Sequence, residues 1–436
     1  MQILQQLLFA ALTLVGFYLF SKKLLEIRRN ILLGKALDIN DNKQARLQNL
    51  LLNAFGQKKM FKNPLVGVLH FFVYAGFIII NTELLEILID GLTGHHRIFS
   101  SALGGFYTFL INAFEFLAVS VLIAVIIFLA RRHVVKVKRL NSGELSQGWP
   151  RKDATIILLF EVVLMSLFLI MNASDACLQD LGAEHYTTSG PFYFSGMLKP
   201  LFSSLPSTAL MVIERSCWWA HIIGIFLFMN YLPYSKHLHV ILGFPNSYYA
   251  PIIPKGTMSN MPAIQQEVLY MMQPELAPND AAAAPVSFGA KDIFDLNWKN
   301  LMDAYSCTEC GRCTSACPAN QTGKKLSPRK IMMDTRDRLE EVGKNINEHK
   351  TFQEDGHHLL HHYITVEELR ACTTCNACVQ ECPVSISPLD IILQLRRNLV
   401  MEESNSPQEW NQMFGNIENN MAPWKFSPDD RDAWNQ

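Results

Sequence analysis

CTECGRCTSACP at residues 307–318 and CTTCNACVQECP at residues 372–383 are the two runs that decide how this sequence folds. Each places four cysteines with the same spacing, Cys-x-x-Cys-x-x-Cys-x-x-x-Cys-Pro. The runs hold all but two of the chain's ten cysteines, Cys177 and Cys217. Disulfide frameworks are typical of small secreted domains. The grouping therefore predicts metal binding in a reducing compartment, and the two remaining cysteines are expected to be apolar fillers.

The spacing matches the bacterial ferredoxin run, in which three thiolates hold one [4Fe-4S] cluster and the fourth ligates the other cluster. This pattern predicts crossed ligation. The expected ligand sets are Cys307, Cys310, Cys313 and Cys382 for one cluster, and Cys372, Cys375, Cys378 and Cys317 for the other. Zinc is the alternative, but zinc sites usually pair two Cys-x-x-Cys hooks and need no third spacing. The stretch between the runs follows a helical pattern over Ser327 to Val342 and Thr365 to Ala371, which favours an α-helical ferredoxin domain.

The first half of the chain is much more apolar than the second. Five stretches approach or exceed the roughly 20 residues that cross a bilayer as a helix. They lie at about 3–20, 65–90, 102–130, 154–172 and 209–232. We therefore predict a five-helix membrane domain. With a formal net charge of -1 and no basic stripe, the chain gives no reason to expect nucleic acid as a partner, whereas membrane lipid is expected.

Basic residues set the expected orientation. Lys and Arg crowd the connection after the first helix, from Lys22 to Lys62, and the one after the third, from Arg131 to Lys152. The other two connections carry only Arg97 and Lys199. The positive-inside rule then places the N-terminus outside a bacterial cytoplasmic membrane and the region after the fifth helix in the cytoplasm. A signal peptide is disfavoured because the basic residues follow the first apolar run and no A-x-A-like cleavage site appears.

Three histidines mark the membrane domain as a candidate redox site, because polar residues inside a bilayer are costly. His70 lies near the inner end of the second helix, His221 lies mid-way along the fifth, and His239 follows 18 residues later. His70 and His239 are expected at similar depth, as the two axial ligands of a b-type haem must be. The prediction is an all-α protein, with a five-helix transmembrane haem b bundle followed by a cytoplasmic α-helical ferredoxin domain with two [4Fe-4S] clusters. Its expected divisions are the bundle at 1–242, a linker at 243–290 containing the run Ala281 to Ala284, the ferredoxin domain at 291–400 and an irregular tail at 401–436.

The segment from His221-Ile-Ile-Gly-Ile-Phe to Leu232-Pro-Tyr-Ser-Lys-His-Leu-His239 resembles the last helix of the respiratory nitrate reductase gamma subunit. In that family two histidines with this spacing ligate two different haems. The resemblance implies that His70 and His239 bind the haem nearer the cytoplasm. The family's other helix-two histidine falls near Ile80, where this chain has none. Either the second haem is absent, or His221 pairs with another ligand; the other roles open to His221 are a quinone contact or a helix-to-helix hydrogen bond.

The second half is similar to the heterodisulfide-reductase-like iron–sulfur oxidoreductases, including those that pass electrons from electron-transfer flavoprotein to menaquinone. The residues that carry this resemblance are Asp295-Leu-Asn-Trp298, Ala304-Tyr-Ser-Cys-Thr-Glu-Cys-Gly-Arg-Cys313, Leu326-Ser-Pro-Arg-Lys330 and Ala371-Cys-Thr-Thr-Cys375. Members usually contain or pair with a module that has Cys-Cys-Gly motifs. Because this chain has no Cys-Cys pair, the resemblance implies a separate partner protein that carries them.

The predicted function is a quinone-linked oxidoreductase subunit: a cytoplasmic donor reduces the clusters, electrons pass to haem b, and menaquinone is reduced. One alternative reverses the flow, with quinol reducing a cytoplasmic disulfide or other acceptor. Another makes the chain a membrane anchor with structural or sensory clusters. No nucleotide-binding motif is present, so any flavin belongs to a partner such as electron-transfer flavoprotein.

Acidic residues in the apolar stretches are candidates for quinone proton exchange. They are Glu83, Glu86, Asp90, Glu115 and Glu214. Interfacial solvation is the favoured interpretation for Asp90 and Glu214, and Glu115, the deepest, is the best candidate of the five. His95 and His96 are expected to be solvated in an outside loop.

Overall fold

The computed structural model describes residues 2–141, 143–254, 256–277, 287–430 and 432–435. Within these ranges the chain is mostly helical and forms no β-strand, which confirms the all-α prediction. The run Ala281 to Ala284, predicted as part of a linker, lies outside the described residues.

Five helices are long and apolar enough to cross a membrane, as the sequence predicts. These spans are Ile3–Ile31, Pro64–Thr93, Gly105–His133, Gly148–Asp180 and Ser207–Tyr234. The helices of this half are α1 (Gln2–Ile31), α2 (Lys43–Leu50), α3 (Pro64–Ile80), α4 (Glu83–Thr93), α5 (Ile98–Leu103), α6 (Gly105–His133), α7 (Gly148–Asp180), α8 (Lys199–Phe202) and α9 (Ser207–Tyr231). A turn at Asn81 and Thr82 divides the second span into α3 and α4.

The bundle is packed around α6, α7 and α9, with α3 against α6 and α1 against α4 and α9. Its interior includes Ile111, Ala118 and Phe168, all buried. Large apolar side chains such as Leu4 and Leu14 remain exposed on the outside of α1. Because soluble proteins rarely expose such continuous apolar surface, this pattern is that of a helix in contact with lipid.

The first helix extends well beyond the predicted stretch 3–20. Its basic end contacts the helix Pro328–His349 of the cysteine-rich half: Lys23 Nζ lies 2.9 Å from Glu340 Oε2, and Arg29 Nη2 lies 2.9 Å from the carbonyl oxygen of Gly343. Contacts with the cysteine-rich half therefore stabilise the C-terminal part of α1, and hydropathy does not predict them.

The cysteine-rich half is a compact set of helices. They are α10 (His239–Tyr248), α11 (Pro262–Met272), α12 (Trp298–Tyr305), α13 (Arg312–Ser315), α14 (Pro318–Gln321), α15 (Pro328–His349), α16 (Val366–Ala371), α17 (Ala377–Glu381), α18 (Pro388–Met401) and α19 (Gln408–Asn420). Helices α15 and α16 fall where the sequence predicts helix. Ser327 caps the first with its hydroxyl, and Thr365 forms a capping box with Glu368 at the second.

The structure also differs from expectation in the predicted linker and in the tail. Residues 243–248, within the predicted linker, complete α10, where Asn246 is buried and donates from Nδ2 to the carbonyl oxygen of Val384 at 2.8 Å. The tail, predicted to be irregular, contains α19, a helix with no buried residue.

Candidate iron–sulfur and haem sites

Four cysteines from both runs line one cavity: Cys307, Cys310, Cys313 and Cys382, which we call the first cysteine group. Gly311, between two of them, has a positive φ of 71°, and a Cβ there would lie 2.5 Å from Leu145 Cδ1, so a glycine is needed. The cysteine of the second run thus joins three of the first run, which is the arrangement that crossed ligation requires.

The second cysteine group is Cys372, Cys375, Cys378 and Cys317. Cys317 and Cys375 lie close enough to both Cys372 and Cys378 to influence their charge state. Backbone amides point at sulfur in both groups: Thr374 N donates to Cys372 Sγ at 3.4 Å, and Ile386 N donates to Cys382 Sγ at 3.3 Å. Such bonds stabilise thiolate ligands and tune the potential of a cluster.

The thiols of the first cysteine group line a cavity. In the part of the chain that the structure describes, no three His, Cys, Asp or Glu side chains are placed to hold a single metal ion. A zinc ion needs its thiolates at about 2.3 Å from one centre.

Burial is the main cause of the raised pKa values of these thiols. It raises the pKa of Cys307 to about 12 and the pKa of Cys382 to about 11. In the second group burial raises the pKa of Cys378 to about 12. Because thiolates are the ligands, loading either group with iron must release protons.

The membrane half holds the first cysteine group from two sides. Lys59, in the connection after α1, donates to the carbonyl oxygen of Cys382 at 2.9 Å. Arg139, in the connection after α6, donates to the carbonyl oxygen of Cys310. Arg312 in turn donates to the carbonyl oxygen of Lys59 at 3.1 Å. The basic connections that the sequence singled out therefore contact the cluster loops as well as setting the expected orientation.

All three predicted histidines have Nδ1 bonded to an oxygen. His70 Nδ1 lies 3.0 Å from Gln57 Oε1, His239 Nδ1 lies 2.7 Å from the carbonyl oxygen of Lys236, and His221 Nδ1 lies 3.1 Å from that of Leu164. Because each partner is an acceptor, Nδ1 carries the hydrogen and Nε2 keeps a free lone pair. Metal-ligating histidines are typically held in this way.

His70 and His239 are neighbours although they are far apart in the sequence. Each is within range of the other's charge, and Arg312, adjacent to Cys313, is within range of His70. Their Nε2 atoms have the chemistry that two axial haem ligands need. His221 lies elsewhere, with its ring centroid 6.2 Å from that of Phe168 in α7.

A buried polar network that the sequence did not reveal occupies the far end of the bundle. Arg97 donates to Asp175 Oδ2 at 2.6 Å, to Asn172 Oδ1 at 2.8 Å and to the Tyr107 hydroxyl at 3.2 Å. Asn172 donates to Glu115 Oε1 at 3.2 Å. Arg97, counted above as a loop charge, is therefore the centre of an interior ion-pair network.

Two predictions about solvation are wrong at this end. Asp90 is buried and accepts the backbone N–H of Arg97 at 2.7 Å, and Glu214 is only 1% exposed and pairs with Arg215. His96 is also partly buried, 3.4 Å from Asp175. These acidic side chains are buried because the network supplies hydrogen-bond donors for them, and the sequence pattern does not show those donors.

Comparisons with known proteins define the class. Residues 306–386 match the 4Fe-4S dicluster domain. The chain is 28% identical, over 98% of its length, to a probable iron-sulfur-binding oxidoreductase, FadF, of Bacillus subtilis, and 27% identical over 91% to the EtfAB:quinone oxidoreductase of Syntrophomonas wolfei. Over 24% of its length it is 34% identical to one component of a ferredoxin- and F(420)H(2)-dependent CoB-CoM heterodisulfide reductase of Methanosarcina acetivorans, and it covers 53% of that component. No solved structure matches it.

With five apolar helices and a 4Fe-4S dicluster domain, the protein belongs to the class of membrane iron–sulfur proteins. Its relatives are iron–sulfur oxidoreductases, as the resemblance in the second half implies. The chain spans 60% of the length of the Bacillus relative and 54% of that of the Syntrophomonas relative.

Proposed function

We propose that this chain is the membrane subunit of a respiratory oxidoreductase, passing electrons between a cytoplasmic donor and menaquinone through two [4Fe-4S] clusters and haem b. The observation that supports the proposal is that His70 lies within range of the charges of His239 and Arg312, and that Arg312 also lines the cavity of the first cysteine group. When bound, the clusters and the haem supply one-electron carriers, while the protein fixes their positions and potentials.

The exposure of the two cysteine groups suggests the order of transfer. Cys375 of the second group is exposed, whereas in the first group Cys307 is buried and the other three cysteines are only partly exposed. A soluble donor therefore reaches the second group first. The first group contacts Lys59 and Arg139 of the membrane half, so we expect it to pass electrons on to the histidine pair. Electrons enter at the second group and leave toward the bundle.

The donor side involves partners. We propose a separate protein with Cys-Cys-Gly motifs and, through it, electron-transfer flavoprotein, on the strength of the resemblance and of a relative named EtfAB:quinone oxidoreductase. The orientation we propose has the N-terminus outside the bacterial cytoplasmic membrane and the cysteine-rich half in the cytoplasm.

The test is a reduced-minus-oxidised absorption spectrum of the purified membrane protein, with iron and haem quantified. We expect a b-type α band and roughly eight non-haem iron atoms per chain, four per cluster. His70→Gln and His239→Gln should each abolish the band and leave the non-haem iron content unchanged. The matched control is His95→Gln, at an exposed histidine, which should change neither. A wild-type protein without a reducible b-type band would remove haem from the proposal.

His221 is tested in the same preparation. If it ligates a second haem, His221→Gln lowers the haem content, whereas a quinone contact leaves the haem content unchanged and slows quinone turnover. The hydrogen bond from His221 Nδ1 to Leu164 leaves Nε2 available for either role.

A further inference from the structure

Arg132, in the last turn of α6, has an unusual environment. The residue is only 8% exposed, and its guanidinium forms no hydrogen bond or ion pair with any residue in the described ranges. An arginine at a helix end normally extends its guanidinium to water. A buried guanidinium without a partner is strongly unfavourable, so this position calls for an anion.

The neighbouring side chains do not supply that anion. The charges that act on Arg132 come from Arg139, Arg151 and Asp153, and Lys236 is also within range. The single carboxylate, Asp153, already accepts hydrogen bonds from the Tyr231 hydroxyl at 2.5 Å and from the backbone N–H of Lys236 at 3.1 Å. Positive charge is therefore in excess at this end of the bundle.

A second unpartnered nitrogen lies next to the histidine pair. His237 Nδ1 is completely buried and has no hydrogen-bond partner among the described residues. The centroids of the His237 and His239 rings are 5.7 Å apart, and His237 is within range of the charge of His70. It follows Lys236, which is itself within range of both Arg132 and Cys307. Lys236 therefore connects the two unpartnered nitrogens, because it is within range of the charge of Arg132 and precedes His237 in the chain.

We propose that Arg132 and His237 bind the propionate carboxylates of the haem whose iron His70 and His239 ligate. The inference rests on the haem of the proposed function. A b-type haem carries two carboxylates at one edge, and a buried guanidinium and an imidazole are suitable donors for them. A phospholipid phosphate has similar chemistry, but Arg132 is buried within the protein and His237 packs against His239, so neither faces the lipid.

The experiment is a potentiometric titration of the haem, with haem content measured, in wild-type protein and in Arg132→Gln. Removing the cation beside the propionates disfavours the reduced haem, which carries one more negative charge. We expect the midpoint potential to fall by an amount equivalent to roughly a tenfold change in equilibrium constant, ~59 mV for one electron. Arg131→Gln, which removes the same charge from the adjacent, partly exposed position, should leave the potential unchanged.

Two further variants keep the test decisive. Arg132→Lys retains the charge and should recover most of the potential even if the glutamine variant folds poorly. His237→Leu should lower the potential and the haem content in the same direction as Arg132→Gln. Equal potentials and haem contents in Arg132→Gln, Arg131→Gln and wild type would overturn the inference and leave the haem intact.

The lipid alternative has its own signature. Loss of a co-purified anionic phospholipid from Arg132→Gln with an unchanged haem potential would assign the site to lipid and overturn the inference. Wild-type protein without b-type haem would overturn both the inference and the haem part of the proposed function.

Discussion

Lys59 Nζ lies 2.9 Å from the carbonyl oxygen of Cys382, and this bond joins the membrane half to the second cysteine run. Lys59 belongs to the connection after α1, while Cys382 completes the first cysteine group. A charged donor on this carbonyl places positive charge beside the cluster position and fixes the loop that carries the fourth thiol.

Lys59→Met should therefore destabilise the loop that carries Cys382 and lower the midpoint potential of the first cluster. The loss of one hydrogen bond from a charged donor is expected to lower stability by about 1.5–3 kcal/mol. It should also move the midpoint potential of one cluster to more negative values. Thermal unfolding and a redox titration followed by electron paramagnetic resonance measure the two effects. Lys58→Met, at the exposed neighbouring position, is the control and should show neither.

Crossed ligation makes a pairwise prediction. Cys382 lines the cavity of the first group, and Cys317 is a neighbour of Cys372 and Cys378. Cys382→Ser should thus reproduce the resonance spectrum and iron loss of Cys310→Ser, and Cys317→Ser those of Cys375→Ser. If Cys382→Ser instead matched Cys375→Ser, and Cys317→Ser matched Cys310→Ser, each run would bind its own cluster without the other.

Gln57 is expected to orient His70. Its backbone has a positive φ of 47°, a strained conformation for a residue other than glycine, and its buried side chain accepts from His70 Nδ1 at 3.0 Å. Gln57→Leu should weaken haem binding about 10–100-fold, as loss of an outer hydrogen bond typically does at metal sites. It should also raise the haem potential, because the imidazole becomes a poorer electron donor. Haem retention during dilution and a redox titration test the two effects. Unchanged haem retention and an unchanged haem potential would mean that Gln57 has no role in ligand orientation.

Arg97 and Lys199 provide a matched pair for the buried network, since both come from connections that carry a single basic residue. Arg97 is buried against Asp175, whereas Lys199 pairs with the exposed Asp180 at the surface. Arg97→Gln leaves buried carboxylates without their cation and should destabilise the bundle by about 3–5 kcal/mol. Lys199→Gln should have an effect of about 1 kcal/mol or less. Similar melting temperatures for the two variants would contradict the structural role of Arg97.

The sequence revealed the features that depend on local spacing. The cysteine runs and the five apolar spans are short-range patterns, and so are the capped starts of α15 and α16. The neighbourhood of His70 and His239 was inferred from helix direction and depth, which a bundle with short connections fixes closely.

What the sequence could not reveal depends on contacts between distant segments. Arg97 appears as an ordinary loop charge until Asp175, 78 positions later, packs against it. Arg132 is one of several basic residues in its connection, and only the folded structure shows that it is buried. The C-terminal end of α1 was missed because hydropathy does not report contacts with another domain. The helix in the tail was missed because hydropathy does not report the helical preference of a polar segment.

The most direct test of electron transfer through the haem is the rate at which reduced clusters are reoxidised by a menaquinone analogue. The measurement compares wild-type protein with the His239→Gln variant after anaerobic reduction. If the histidine pair connects the first cysteine group to quinone, the clusters reoxidise rapidly in wild type and the b-type band responds in the same phase. In the variant, reoxidation is strongly slowed although the non-haem iron content is intact. Equal cluster reoxidation rates in the two proteins would contradict the account.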